Sequence, residues 1–254
     1  MNPLDIIIKT WRERAAGIDR RAVLAGVERD GTMTAGFLLL VATSCAVATL
    51  GLLQNSAAVV IGSMLLAPLL GPILRFGFAL PRLDGNAMLR GLGNTLAGAA
   101  AALAVAMLVV HLSPAAAPTA EILARTQPNL MDLLVALFAG LAGGYAVIRG
   151  LSGTFAGFAI ATALMPPLAT IGFGLARGDA AIALGAGGLF LINFAGIAAS
   201  AAVMAAWHGL HAPRFMSWRL FLPATSAKPP PFGGNACPIT AAAWPDMTTS
   251  CEQK

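Results

Sequence analysis

The stretch at residues 51–80, GLLQNSAAVVIGSMLLAPLLGPILRFGFAL, limits the possible folds more than any other part of the chain. It is long enough to cross a bilayer, and its only charge is Arg75, yet Pro68 and Pro72 stand in its middle. Each proline removes a backbone donor and breaks or kinks a helix. Inside a membrane, the amides and carbonyls freed by such a break must be met by protein, water or a bound solute. The prolines therefore predict a discontinuous membrane helix. A second stretch repeats the pattern at an offset of 99 residues: Gly150-Leu151 answers Gly51-Leu52, Ile160-Ala161-Thr162 answers Ile61-Gly62-Ser63, Leu164 answers Leu65, and Pro167-Leu168 answers Pro68-Leu69. The same offset carries Asn94 onto Asn193, and Asn is uncommon in this apolar region.

Composition places the whole chain in the same solvent. Apolar residues make up 57% and charged residues 11%, with a mean hydropathy of +0.77, whereas an average soluble domain is about 45–50% apolar and about 25% charged. The net charge of +5 does not indicate nucleic-acid binding. Lys and Arg gather in the termini and a few loops, as membrane topology requires. The first 31 residues are charged throughout and lack the apolar core of a signal peptide. Cys45, Cys237 and Cys251 have no close spacing, so they form neither a disulfide framework nor a zinc site.

Hydropathy predicts six spans, near residues 33–53, 56–80, 87–112, 130–148, 154–176 and 180–207. Residues 1–31 form a cytoplasmic basic segment. Ile7, Trp11, Ala15, Ile18, Ala22 and Ala25 recur there at helical spacing, which suits a helix lying on the membrane or one packed on the protein's own loops. Residues 32–112 make one membrane unit and 130–211 a second. Between them, residues 113–129, with Pro114, Pro118 and Pro128, read as an extracytoplasmic loop. Residues 212–254 turn to Pro, Ser, Thr and Lys and are expected to be a largely disordered cytoplasmic tail. Arg12, Arg14, Arg20, Arg21, Arg82, Arg149 and Arg214 fall on one side and few basic residues on the other, so both termini are expected in the cytoplasm, on the inner membrane.

The repeat pairs three spans with three. An odd number of crossings reverses the second unit relative to the first. The expected architecture is thus an all-α membrane protein of two inverted three-helix repeats, with proline-broken second and fifth helices meeting near the midplane. Many secondary transporters take this form. A small transporter or channel for a solute or ion is the expected function, and a non-transporting membrane scaffold or regulatory subunit is the alternative. No paired membrane aspartates, His-Glu-x-x-His helix or phosphate-cradling Gly-Lys loop is present, so no enzyme, cofactor or metal is expected.

At GLLQNSAAVVIGSMLLAPLLGP and at GLSGTFAGFAIATALMPPLATIGFGLA the chain resembles the bacterial and archaeal integral membrane family known as domain of unknown function 389. The resemblance covers about residues 33–207. It implies a multi-pass inner-membrane protein and brings no activity, substrate or catalytic residue with it.

Candidate pathway residues flank the breaks: Ser63, Pro68, Pro72, Asn94, Thr162, Pro166, Pro167 and Asn193. The two asparagines offer donor and acceptor groups at membrane depth, either to a solute or to another helix. Ser63 and Thr162 either ligate an ion or bond back to their own helix. Arg75 is a candidate anion contact or a side chain that snorkels to the headgroups. Asp132 reads as a helix cap, and Gln54-Asn55-Ser56 as a turn. His208 and His211, lacking a third ligand, are weak evidence for metal. Gly140/Gly144, Gly153/Gly157 and Gly174/Gly178 suit close helix packing, within one subunit or in a homo-oligomer. The expected partners are the lipid bilayer, further copies of the chain, and a small solute or ion.

Overall fold

A computed structural model describes residues 19–114, 117–150 and 164–210. Within them every regular element is helical: α1 (Arg20–Asp30), α2 (Ala35–Leu53), α3 (Ala57–Met64), α4 (Leu70–Ala79), a 3-10 turn (Leu80–Arg82), α5 (Gly85–Leu112), α6 (Ala120–Leu123), α7 (Leu130–Ile148), α8 (Met165–Arg177) and α9 (Ala180–Trp207). Helices α2, α5, α7 and α9 are long and apolar enough to cross a membrane. Each begins on a short polar side chain that accepts one of the orphan amides of its first turn. Thr34 caps Phe37 N–H at 3.0 Å, Asp84 caps Ala87 N–H at 3.0 Å, Asn129 caps Asp132 N–H at 3.0 Å and Asp179 caps Ile182 N–H at 3.1 Å.

These long helices are apolar on their outer faces as well as their inner ones. Leu39, Leu96, Phe138, Leu184 and Leu191 are exposed, while Val41, Cys45, Ala102, Ala136 and Ile197 are buried. Water would disfavour such an outer surface, and lipid accepts it. Between the helices, small residues set the distance. A Cβ on Gly140 of α7 would collide with Ser200 Oγ and stand 2.7 Å from the Ile197 carbonyl oxygen of α9. The absence of that carbon lets the two helices touch along their backbones.

The helix after α2 is broken as the prolines predict. Helix α3 stops at Met64 and α4 starts at Leu70, with Pro68 between them and Pro72 in the first turn of α4. Past α3 the chain tightens, Leu66 N–H donating to Ser63 O at 3.1 Å and Ala67 N–H to Met64 O at 3.2 Å. Ser44 Oγ, from α2, donates to the same Ser63 oxygen at 2.7 Å. The buried Ser44 hydroxyl and local turns therefore meet the Ser63 and Met64 carbonyls at the end of α3. The matching residues 151–163, including Thr162, lie outside the described residues, as do residues 1–18 and 211–254.

Two features depart from the sequence reading. Helices of equal length start at 35 and 130 (α2, α7) and at 85 and 180 (α5, α9), and the post-break helices start at 70 and 165 (α4, α8), an offset of 95 in each case. At that offset Pro72 meets Pro167, Gly77-Phe78 meets Gly172-Phe173, Arg82 meets Arg177 and the cap Asp84 meets the cap Asp179. Asn94 then falls on Leu189, so the Asn94/Asn193 match at 99 is a coincidence of sequence and not an equivalence of position. The segment 113–129 also contains more than loop. It includes α6 and docks on the end of α2, with Thr119 Oγ1 donating to Leu52 O at 2.7 Å and Glu121 N–H to Asn55 Oδ1 at 3.1 Å.

Candidate functional site

A cavity of about 370 Å³ lies where α8 begins. Pro166 and Pro167 of α8, Met64 at the end of α3, Val135 of α7, and Leu189 and Asn193 of α9 form its walls, and Glu121, Arg125 and Asp132 stand at its α6 end. Helix rise gives its depth. Thr126, just past α6, lies against Gly185 of α9, and Asn193 is eight residues further along that helix, about 12 Å along the axis from the α6 end. The cavity therefore runs from the charged end of the bundle to the helix break.

Local sequence explains each wall. Helix α8 starts inside the bundle because prolines suit a first turn, whose amides have no intrahelical partner anyway. The start of α8 is the positive end of a helix dipole and the end of α3 is a negative one. Both lie at the cavity. At the mouth, Arg125 Nη1 meets Glu121 Oε2 at 2.7 Å and also the Glu121 carbonyl oxygen. Asp132 is held in a capping box, its Oδ2 accepting from Asn129 N–H at 3.0 Å while Asn129 Oδ1 accepts from Asp132 N–H. The mouth thus carries two carboxylates against one guanidinium, and the floor is apolar apart from Asn193.

The candidate residues divide between two places. Pro166, Pro167 and Asn193 come together in the cavity, beside Met64. Ser63, next in the chain, is fully buried and donates to Val60 O at 2.6 Å, the back-bond to its own helix. Pro68 and Pro72 shape the break without lining the cavity. Asn94 and Arg75 lie apart, towards the end of the bundle that carries α1. Asn94 Nδ2 donates to Gly31 O at 2.7 Å, and Arg75 packs on Gly31. Thus Arg75 does not snorkel past the end of its helix. His208 is buried, its Nδ1 2.9 Å from Met204 O, and among the described residues no three His, Cys, Asp or Glu side chains gather as a metal site.

Neither Glu121 nor Arg125 is among the sequence candidates. Their signal was available: Glu-x-x-x-Arg is an i,i+4 pair in a segment otherwise rich in proline, the mark of a helical turn inside a loop. What sequence did not carry is that this turn folds onto the bundle and reaches the break.

A family model described as Domain of unknown function (DUF389) matches residues 64–199. An uncharacterised protein of the archaeon Methanocaldococcus jannaschii is 30% identical over 173 residues, covering 68% of this chain and 54% of its own length. The chain thus spans about half the length of that relative. No solved structure matches it.

Proposed function

Because this chain belongs to the family described as Domain of unknown function (DUF389), whose description names no activity, we propose a function from the cavity itself: a small secondary transporter or channel that passes a small solute or ion through the break at the start of α8. The broken segments serve as the fifth and sixth crossings beside the four long helices. The two halves are then inverted three-helix units in a bacterial-type inner membrane. The Arg-rich end with α1, Arg82 and Arg149 faces the cytoplasm, and the mouth with Glu121 and Asp132 faces outwards. The activity is non-enzymatic, and the protein works as a homo-oligomer.

One observation carries the proposal: a cavity of about 370 Å³ joins a charged mouth to two helix ends, the close of α3 and the start of α8. Ligand pockets begin near 300 Å³, so this one suits a small solute or a partly hydrated ion. With Cys45, Cys237 and Cys251 replaced, Leu189→Cys and Asn193→Cys proteins in liposomes should react with a membrane-impermeant thiol reagent from the α6 side, and the reaction should block flux of a permeating solute. If both stay unreactive while Gln54→Cys at the same end labels, the cavity is closed to water and the scaffold alternative replaces transport.

A further inference from the structure

Among the described residues one arginine is buried, and nothing described offsets its charge. Arg75 of α4 is 6% exposed, and its Nε is buried without a hydrogen-bond partner. Among the described residues no carboxylate or carbonyl bonds to it. Arg29, Arg82 and Arg125, by contrast, each meet an acid, at 3.4, 2.9 and 2.7 Å. Arginine does not shed its proton in a protein, so the charge remains, and an uncompensated buried charge is strongly destabilising.

Geometry shows where a compensating group belongs. In a helix the Cα–Cβ bonds lean towards the N-terminus, so the Arg75 side chain starts towards the break and away from Arg82. Its Cβ and Cδ press on Gly31, where an added Cβ would stand 2.9 Å from each. Gly31 closes α1, and its carbonyl is held from α5 by Asn94 Nδ2 at 2.7 Å. One turn before Arg75, Gly71 touches the Asp30 carbonyl oxygen at the same junction. The N-terminus of α4, a positive dipole end, has no side-chain cap. Three sources of positive potential or donors therefore border the α1–α2 junction: Arg75, the uncapped start of α4, and the Asn94 amide, which has a second N–H.

We propose that Arg75 anchors a small oxyanion site beneath the α1–α2 junction, binding a phosphate-type group supplied by free phosphate or by the headgroup of an anionic lipid. The planar fork of guanidinium takes two oxygens of such a group at once. Asn94 forms the opposite wall, and Gly31 and Gly71 allow the backbone to come close. The site lies apart from the α6-end cavity and does not depend on transport.

The full-length protein in phosphatidylcholine nanodiscs would be titrated with inorganic phosphate at ionic strength matched with chloride, and melting followed by tryptophan fluorescence. A second arm would omit phosphate and add phosphatidylglycerol to the disc. The wild type should show a saturable rise in Tm in at least one arm: a rise with phosphate identifies a soluble anion, and a rise with phosphatidylglycerol alone identifies a lipid headgroup. Arg75→Gln should abolish the rise. Should that variant not fold, Arg75→Lys, a point charge without the fork, should fold and move the midpoint up by about tenfold. The proposal falls if the wild type shows no rise in either arm, or if the rise or its midpoint is unchanged in the Arg75 variant.

Discussion

At the scale of single residues, tolerance to change follows the space beside a Cα atom more than residue type. Gly140 and Gly62 are both helical glycines, yet Gly140 faces α9 across Ile197 and Ser200, and Gly62 has nothing within 4 Å. Gly140→Ala should lower stability by about 1–3 kcal/mol through overpacking, whereas Gly62→Ala should leave it unchanged or raise it by up to about 1 kcal/mol. Denaturant unfolding of the two variants in the same detergent checks the contrast, and equal effects would remove the close α7–α9 contact. Residue type alone also misjudges the asparagines. Asn94 and Asn193 look like partners in sequence, but one ties α5 to the α1–α2 junction and the other lines the cavity. Hydrogen-bond partners are long-range, so nothing within a few residues of either Asn separates the two roles.

At the scale of elements, start signals were the most legible part of the chain. Thr34, Asp84, Asn129 and Asp179 are short polar residues directly before apolar runs, and each caps a long helix. Asn129 matters beyond its own helix because it also fixes Asp132 at the mouth of the cavity. Asn129→Ala should cost about 1 kcal/mol of stability by removing the side-chain cap on the Asp132 amide, while the backbone N–H of residue 129 still holds the Asp132 carboxylate. The cost is measurable by thermal unfolding, while Asn129→Asp should keep most of the stability because a carboxylate also accepts from the Asp132 amide. Helix α6 was the least legible element. Four residues of helix in a proline-rich connection carry no periodicity, and only docking on Leu52 and Asn55 makes the segment a wall of the site.

At the scale of the whole molecule, the two halves are interleaved. Helix α4 of the first half packs on α9 of the second as well as on α5, and α8 of the second packs on α5 and α2 of the first as well as on α9. Neither α4 nor α8 is buried by its own half alone. If the chain is cut between α5 and α6, the two fragments expressed together should co-purify as a stable complex, and each expressed alone should aggregate or be degraded. A first half that folds monomerically by itself would contradict this packing.

Hydropathy, charge and proline settled by themselves that this is an apolar helical chain with long helices near residues 35, 85, 130 and 180 and a break at Pro68. Transfer free energy and backbone hydrogen bonding act on short windows, and a window can be read in order along the chain. Tertiary structure decided the 95-residue correspondence of the halves, the burial of Arg75 under Gly31, and the meeting of Glu121, Arg125 and Asp132 with Pro166, Pro167 and Asn193. Those depend on which helices approach closely. In a bundle whose inner and outer faces are both apolar, close approach is set by where a missing Cβ lets two backbones touch, and hydropathy does not record it.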